Sequence, residues 1–233
     1  MAKQPIGRLL LRYSAPAMVA MMVNSLYNLV DAIFVGQGVG HLALAALAVS
    51  FPIQMFILAI AQVVGIGSAS IISRSLGAGE QRRAERTAGT SFICVVVLSI
   101  LLAAVGLGFL RPILRLFGAT PAIMPYAVDY LSVILAGNFF FAYAVSSNNL
   151  VRSEGNVKVA MYSMFLGAGI NIILDPIFIF GLNMGIRGAA IATVIANMLV
   201  FVFLTSYFLS GNSLLKIRRT DLWPDFSIIP EMA

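Results

Sequence analysis

Long apolar runs fill this chain, and short polar segments interrupt them at intervals of about one membrane thickness. At about 1.5 Å per residue, each run is long enough to cross about 30 Å of hydrocarbon as a helix. Glycine marks the breaks, as in Leu76-Gly-Ala-Gly79. The pattern predicts an all-α integral membrane protein, a bundle of six transmembrane helices. The predicted spans are Leu9–Phe34, Ala45–Ile72, Ala88–Leu110, Ala122–Ser147, Val157–Phe180 and Ile186–Ser210.

The composition agrees with a membrane location. Of the 233 residues, 60% are hydrophobic and 10% are charged, whereas soluble domains contain about 25% charged residues. The net charge of +6 does not indicate nucleic acid as a partner, because the basic residues lie between the apolar runs instead of on a polar face with aromatic residues. We therefore predict a multi-pass protein of the plasma (inner) membrane.

The basic residues also predict an orientation. With the N-terminus in the cytoplasm, twelve Lys and Arg residues lie inside and three lie outside. Such a bias toward the inside is typical of membrane proteins, and it places both termini in the cytoplasm. Residues 211–233 are too short and broken to span the bilayer. We expect them to form a cytoplasmic interfacial connecting segment that Trp223 anchors.

Residues typical of enzymes and of transition-metal sites are scarce in this sequence. There is one cysteine, Cys94, and one histidine, His41, so neither a disulfide nor a zinc site is expected. No nucleotide-binding loop or catalytic triad pattern occurs. We predict that the protein is not an enzyme, that it needs no cofactor, and that it binds no metal other than Na⁺ at the site described next.

One carboxylate, Asp175, lies inside the fifth apolar run, where a charge is costly. Asn171 lies one helical turn earlier on the same face. Pro176 has no N–H and therefore leaves the carbonyl of Ile172 without its usual helical partner. Two interpretations remain open for this stretch alone: a kinked helix whose polar residues bind neighbouring helices, or an ion or proton site.

The depth of the polar residues favours the ion or proton site. Asp31 lies about 33 Å along the first span and Asp175 about 27 Å along the fifth, while Thr193 lies about 10 Å below the outer surface. These residues and Asn171 can therefore share one layer. Two carboxylates in a dry layer must share a proton or bind a cation. Oxygen ligands of this kind suit Na⁺ or H⁺.

Other polar residues of the spans have weaker assignments. Asn28 lies on a polar stripe with Asp31, and Tyr27 lies beside it. We expect Tyr130 to form a hydrogen bond inside the bundle before any role in the site. Asn148 and Asn149 lie at the cytoplasmic end of the fourth span, where an amide caps a helix.

Several short motifs, taken together, make the sequence similar to the first half of a multidrug and toxic compound extrusion (MATE) transporter. The resemblance covers nearly the whole chain. The motifs are the first span around Pro16 and Tyr27, Asp31-Ala-Ile-Phe-Val-Gly36, Leu76-Gly-Ala-Gly79, Leu150-Val-Arg-Ser-Glu-Gly-Asn156, Asn171-Ile-Ile-Leu-Asp-Pro-Ile-Phe-Ile-Phe180 and Gly185-Ile-Arg-Gly-Ala-Ala-Ile-Ala-Thr193.

The resemblance implies cation-coupled export, with H⁺ or Na⁺, of amphipathic and often cationic drugs. It places the cation site at an acid on the first helix, an Asn and an Asp on the fifth, and a Thr on the sixth. Those positions are Asp31, Asn171, Asp175 and Thr193. It further implies a bend at Pro16, a polar neighbour of the first acid at Tyr27, and a contribution from Tyr130.

The resemblance also implies a missing partner. The family has twelve spans in two six-helix lobes with the drug cleft between them, and this chain corresponds to one lobe and the start of the connecting segment. We expect a second lobe, either a C-terminal half or another copy, with membrane lipid around both. Two alternatives remain. A lipid-linked substrate flippase of a related superfamily would need a basic cavity, and Arg12 is the only basic residue that lies beyond the first two positions of a predicted span. A truncated, non-transporting membrane half-protein would show no cation-dependent stability.

Overall fold

The computed structural model describes residues 6–216 and 228–232, with side chains from residue 18 onward except 20, 21, 24 and 232. Within these ranges the structure is helical and contains no β-strand. The helices are α1 (Ile6–Gly38), α2 (His41–Gly77), α3 (Gln81–Gly108), α4 (Leu110–Leu116), α5 (Met124–Ala136), α6 (Asn138–Ser153), α7 (Val157–Pro176), a π-helical turn (Ile177–Gly181), α8 (Gly185–Leu209) and α9 (Ile229–Met232).

The described residues include four helices that are long and apolar enough to cross a membrane. These are α2, α3, α7 with its π turn, and α8, and the bent pair α5 and α6 counts as a fifth. Helix α1 has 33 residues and carries the polar stripe. The prediction of an all-α membrane protein is confirmed. The number of spans, six, and the position of both termini in the cytoplasm remain predictions.

The region predicted as a single fourth span consists of two helices. Helices α5 and α6 meet at Gly137 with a bend of 54°, and α6 continues to Ser153. The bend packs closely against α8, since a Cβ on Gly137 would lie 2.5 Å from a Val194 methyl group. Asn138 donates from Nδ2 to the carbonyl of Leu135, a backbone group at the break, and to the carbonyl of Ser99 in α3.

Two apolar clusters form the core at opposite ends of the bundle. One joins α2, α3, α6 and α8 around stacked aromatic rings, with Phe92 and Tyr143 centroids 5.1 Å apart. The other joins α1, α2, α5, α8 and the π turn around Val35, Leu131 and Ile179. Because each cluster contains residues from helices far apart in sequence, the long helices are held at both ends.

The π turn after Pro176 fixes how α7 meets α8. The N–H of Leu182 donates to the carbonyl of Ile177 at 2.9 Å, a bond of the longer π-helical type. Helix α8 packs against this turn so tightly that a Cβ on Gly188 would lie 2.9 Å from the carbonyl group of Phe178. Helix α1 packs along the other side of α7. Helix α7 therefore lies between α1 and α8, which positions the acidic layer.

Contacts with α2 and α3 attach the end of the described chain to the bundle. Arg83 of α3 donates from Nη2 to Glu231 of α9 at 2.8 Å. Ile228 packs against Ile71 of α2. These contacts connect α9 to the loop between α2 and α3.

Candidate cation site and cavity

Two carboxyl groups face each other where α1 packs against α7. Asp175 is fully buried, and Asp31 is half-buried. The two carboxyl groups are close enough to interact directly. Two negative charges at that separation repel strongly in a dry interior, so the arrangement requires a proton or a cation.

Asn171 connects this acid pair to α8. Its Nδ2 donates to Asp175 Oδ1 and to Thr193 Oγ1, each at 3.2 Å. Asn171 is 2% exposed, and Thr193 is half-buried. The structure thus brings all four residues predicted from depth, Asp31, Asn171, Asp175 and Thr193, into one layer formed by three helices.

The layer has an excess of hydrogen-bond acceptors. Asp31 Oδ1, Asp175 Oδ2 and Asn171 Oδ1 are buried and have no hydrogen-bond partner among the described residues. Such buried orphan acceptors are rare in proteins and are costly unless a positive group meets them. Carboxylate, amide and hydroxyl oxygens are suitable ligands for Na⁺ or a proton, whereas zinc and copper prefer thiolate and imidazole ligands. The described residues contain no group of three or more His, Cys, Asp and Glu side chains able to hold a metal.

The residues that were expected to support the acid pair lie on three different helices. Tyr27 is hydrogen-bonded to Asn28, and both line the cavity beside Asp31. Tyr130 is buried and hydrogen-bonded to Gln54, and both residues line the cavity. Pro176 ends α7 directly before the π turn. The expected bend at Pro16 concerns a side chain outside the described residues, and α1 is assigned as one helix through that position.

A cavity of about 990 Å³ extends from the acidic layer toward the end of the bundle that contains Asn148, Asn149 and Arg152. Pockets that bind drug-sized molecules have about 300 to 1,000 Å³. Apolar side chains such as Leu47, Phe51 and Phe141 line its walls between polar groups. The cavity can therefore accommodate an amphipathic molecule in contact with the acidic layer.

The far end of the cavity contains polar residues that sequence reasoning assigned elsewhere. Asn149 donates from Nδ2 to Gln62 Oε1 at 2.8 Å, and Asn148 donates to Ser163 Oγ at 2.8 Å. The expectation that the two asparagines cap a helix is wrong, because α6 continues past them to Ser153. Their amides line the cavity instead.

Arg152 also lines this end of the cavity. The predicted fourth span ends at Ser147 and leaves Arg152 in a loop, so Arg152 is not among the basic residues that the sequence places within the spans. A spacing of four between Asn148 and Arg152, which puts both on one helical face, was the signal available in the sequence.

A second polar cluster lies around Glu154, directly after α6. This carboxylate accepts hydrogen bonds from Ser213 Oγ at 2.7 Å, from the N–H of Leu214 at 3.0 Å and from Tyr207 Oη at 3.1 Å. Burial raises the pKa of Glu154 above its ordinary value, although the three hydrogen bonds oppose the rise. The cluster attaches the loop after α6 to the segment that follows α8.

Comparisons with known proteins agree with this architecture. The MatE family model matches residues 16–177. The chain is 27% identical over 227 residues to multidrug export protein MepA of Staphylococcus haemolyticus, a match that covers 97% of this chain and 50% of that protein. It is 34% identical over 219 residues to an FAD transporter of Shewanella oneidensis, with 92% of this chain and 47% of that protein covered.

A crystal structure of MATE in the bent conformation superposes on the chain with a TM-score of 0.89 and 34% identity. The superposition covers 96% of this chain and 50% of that one. The chain thus spans about half the length of the relatives it matches. The resemblance noted in the sequence motifs is confirmed, and the match is to transporters, not enzymes. On the match to its family model and on the shared all-α architecture, the chain belongs to the MatE family of membrane transporters.

Proposed function

We propose that this chain is the cation-binding lobe of a multidrug exporter that uses H⁺ or Na⁺ as coupling ion. The coupling ion binds at Asp31, Asn171, Asp175 and Thr193. The observation that carries the proposal is a set of three buried acceptor oxygens, on Asp31, Asp175 and Asn171, that have no donor among the described residues. The names of related multidrug export proteins support the choice of cargo.

Asn171 organises the proposed site. Its two donated hydrogen bonds use neither Asp175 Oδ2 nor its own Oδ1, which have no donor among the described residues. A bound cation satisfies these oxygens and the free oxygen of Asp31 together, so it connects α1 to α7. A proton shared between the two carboxyl groups removes the repulsion but satisfies fewer oxygens.

The same layer forms one wall of the cavity, which couples the ion to the drug. Asp31 and Thr193 line the cavity, as does Asn171. A cationic drug near this wall is attracted by the carboxylates, and a bound H⁺ or Na⁺ cancels that attraction. Drug and ion therefore compete, and ion entry from outside promotes drug release. Reciprocal coupling of this kind requires only that each ligand weaken the other's binding.

A second six-helix lobe completes the drug cleft in this proposal. The chain spans about half of its relatives, which supports a missing C-terminal half or a second copy as partner. Helix α1 presents an exposed apolar row at spacings of four and three, formed by Met22, Leu26, Leu29 and Ile33. This row is available for contact with the other lobe or with lipid.

The proposal is tested by displacement of a fluorescent cation, rhodamine 6G, from the purified chain in detergent. We expect Na⁺ or acidification to release the dye from wild type. Asp175→Asn should abolish the effect of the ion, whereas Asp129→Asn, an exposed acid on α5, should retain it. Ion-dependent release that is unchanged in both Asp31→Asn and Asp175→Asn refutes the site.

Export itself is tested in cells. The chain should reduce accumulation of the dye when a second lobe is co-expressed. Loss of this activity in Asp175→Asn, with unchanged protein level in the membrane, supports coupling at the site. A chain that neither binds the dye nor responds to ions corresponds to the non-transporting half-protein and contradicts the proposal.

A further inference from the structure

Helix α3 presents a continuous row of exposed apolar side chains. Val97, Leu101, Val105 and Phe109 follow one another at spacings of four, and each is between 49% and 61% exposed. The N–H of Phe109 donates to the carbonyl of Val105 at 3.0 Å, so the row continues without a break to the end of α3. It is about 18 Å long. Because α3 is apolar enough to cross a membrane, this row offers a surface to the acyl chains of lipid.

Helix α4 begins one residue after α3 ends and is fixed to the bundle by one of its faces. Leu110 and Leu114 lie in the apolar cluster around Leu131. Arg111 and Arg115 lie one turn apart on a neighbouring face, and both are exposed. Since the buried leucines anchor α4, the two arginines are held next to the end of the apolar row.

Neither arginine has a carboxylate partner among the described residues. The ion pairs there involve Arg82 and Arg83 instead, and the exposed acid of α5, Asp129, pairs with neither Arg111 nor Arg115. An exposed charge is stable in water, so the pair alone requires no ligand. Its position is the informative feature, because two adjacent positive charges that repel each other lie at the end of a long apolar surface.

We propose that α3 and α4 form a binding site for one anionic phospholipid, with an acyl chain along residues 97–109 and the phosphate between Arg111 and Arg115. The planar N–H groups of arginine match a phosphate and keep their charge at any pH in use. A zwitterionic lipid adds an ammonium group that the arginines repel, so an anionic headgroup is preferred. The inference goes beyond the proposed function, since none of these residues lines the cavity.

Quenching of one tryptophan by brominated lipid tests the site in vesicles. Trp223 is the single tryptophan of the sequence, so Trp223→Phe combined with Leu101→Trp leaves one tryptophan, on the apolar row. The purified chain is reconstituted into mixtures of phosphatidylcholine and phosphatidylglycerol in which one of the two lipids is dibrominated. The quenching gives the ratio of the two binding constants at this position. We expect phosphatidylglycerol to be preferred about tenfold, because its headgroup makes charge-assisted contacts without a competing cation.

Removal of both positive charges should abolish the preference. The double variant Arg111→Gln and Arg115→Gln should reduce it to less than about twofold, while Lys at both positions should retain most of it. Arg187→Gln is the matched control, since it removes an exposed arginine at the start of α8, and it should leave the preference unchanged. A preference that persists in the double Gln variant overturns the proposal.

The chain with both arginines decides the matter even if the double variant fails to fold. Equal quenching by the two lipids overturns the site and leaves the proposed function intact, since dye displacement by Na⁺ or H⁺ is measured separately. Soluble glycerol 3-phosphate carries the phosphate without acyl chains and should not reduce the preference. If it does, α4 binds a free phosphate compound, and the assignment to lipid is overturned.

A second lobe is the other molecule able to cover this face. Reconstitution of the Leu101→Trp chain together with a second lobe should leave both the quenching and the lipid preference unchanged. Loss of quenching when the second lobe is added assigns the apolar row to contact between lobes and overturns the proposal.

Discussion

Replacement of Asp31 by Asn is the most direct test of the acid pair. The amide has the shape of the carboxyl group but no charge, and its Nδ2 can donate to Asp175 Oδ2, which has no donor among the described residues. Two unit charges about 4 Å apart repel by about 4 kcal/mol at an effective dielectric constant of about 20. Asp31→Asn removes this repulsion permanently, whereas wild type needs an ion to remove it.

The change in Tm on addition of Na⁺ measures this difference between wild type and Asp31→Asn. An ion present at about 100 times its Kd stabilises the protein by about 2.7 kcal/mol. For a chain of 150 to 250 residues, each kcal/mol raises Tm by roughly 2–4 °C. We therefore expect Na⁺ to raise the Tm of wild type by roughly 5–10 °C relative to K⁺ at the same pH. Asp31→Asn should start at a higher Tm in K⁺ and should not respond to Na⁺.

Cys94 makes the assay simple. It is the single cysteine of the sequence and is partly buried, so a thiol-reactive fluorophore reports its exposure on unfolding. Comparing Na⁺ with K⁺ at one pH avoids the change in thiol reactivity with pH. The reasoning is refuted if Asp31→Asn responds to Na⁺ as wild type does, or if the exposed control Asp129→Asn loses the response as well.

Three further outcomes follow from the packing and the polar contacts. Gly188→Ala should lower Tm, with a destabilisation of about 1–3 kcal/mol, because the added Cβ meets backbone atoms of the π turn. Gly169→Ala on α7 is the control, since no atom lies within 4 Å of its added Cβ, and its Tm should be unchanged or slightly higher. Thr193→Val removes a hydroxyl that accepts a hydrogen bond from Asn171 and that is a ligand in the proposed site. Isothermal titration should therefore show about tenfold weaker Na⁺ binding. An unchanged Na⁺ affinity excludes the hydroxyl from the site. Because burial raises the pKa of Glu154 above its ordinary 4.5, the stability that this group contributes is complete below pH 4.5 and is lost as pH rises through its raised pKa. Glu154→Gln should therefore lose less Tm than wild type between pH 4.5 and pH 7, and an equal or steeper loss contradicts this assignment.

The four residues of the layer were predictable because two simple rules apply to them. A carboxylate inside an apolar run is costly enough to indicate a special role. The constant rise of a helix then converts position in sequence into depth, and this places Asp31, Asn171, Asp175 and Thr193 at one level. Neither rule needs knowledge of how the helices pack.

The bend at Gly137 was not predictable in the same way. Glycines also occur inside α2 and α3, at Gly65 and Gly106, where the helices continue. At Gly137 the break is stabilised by Asn138, whose amide reaches the carbonyl of Ser99, a residue 39 positions earlier. A local reading of the sequence contains no information about that partner.

The half of the cavity that contains Asn148 and Asn149 was not predicted, for a related reason. Asn149 bonds to Gln62, which is 87 positions away, and Asn148 bonds to Ser163 on another helix. An amide near a predicted helix end is most simply interpreted as a helix cap. Only the contacts with other helices show that these two amides are not caps. Because the fourth span was predicted to end at Ser147, Arg152 was also not predicted to line the cavity.

The π turn at Ile177–Gly181 makes this part of the chain sensitive to length. The turn contains one more residue than an α-helical turn would, and that extra residue turns Ile179 into the apolar core while Phe178 abuts Gly188. Exchange of one apolar side chain for another here preserves the spacing. Removal of a single residue between 177 and 181 would instead rotate everything before it relative to α8, and the carboxylate of Asp175 would leave its place opposite Asp31.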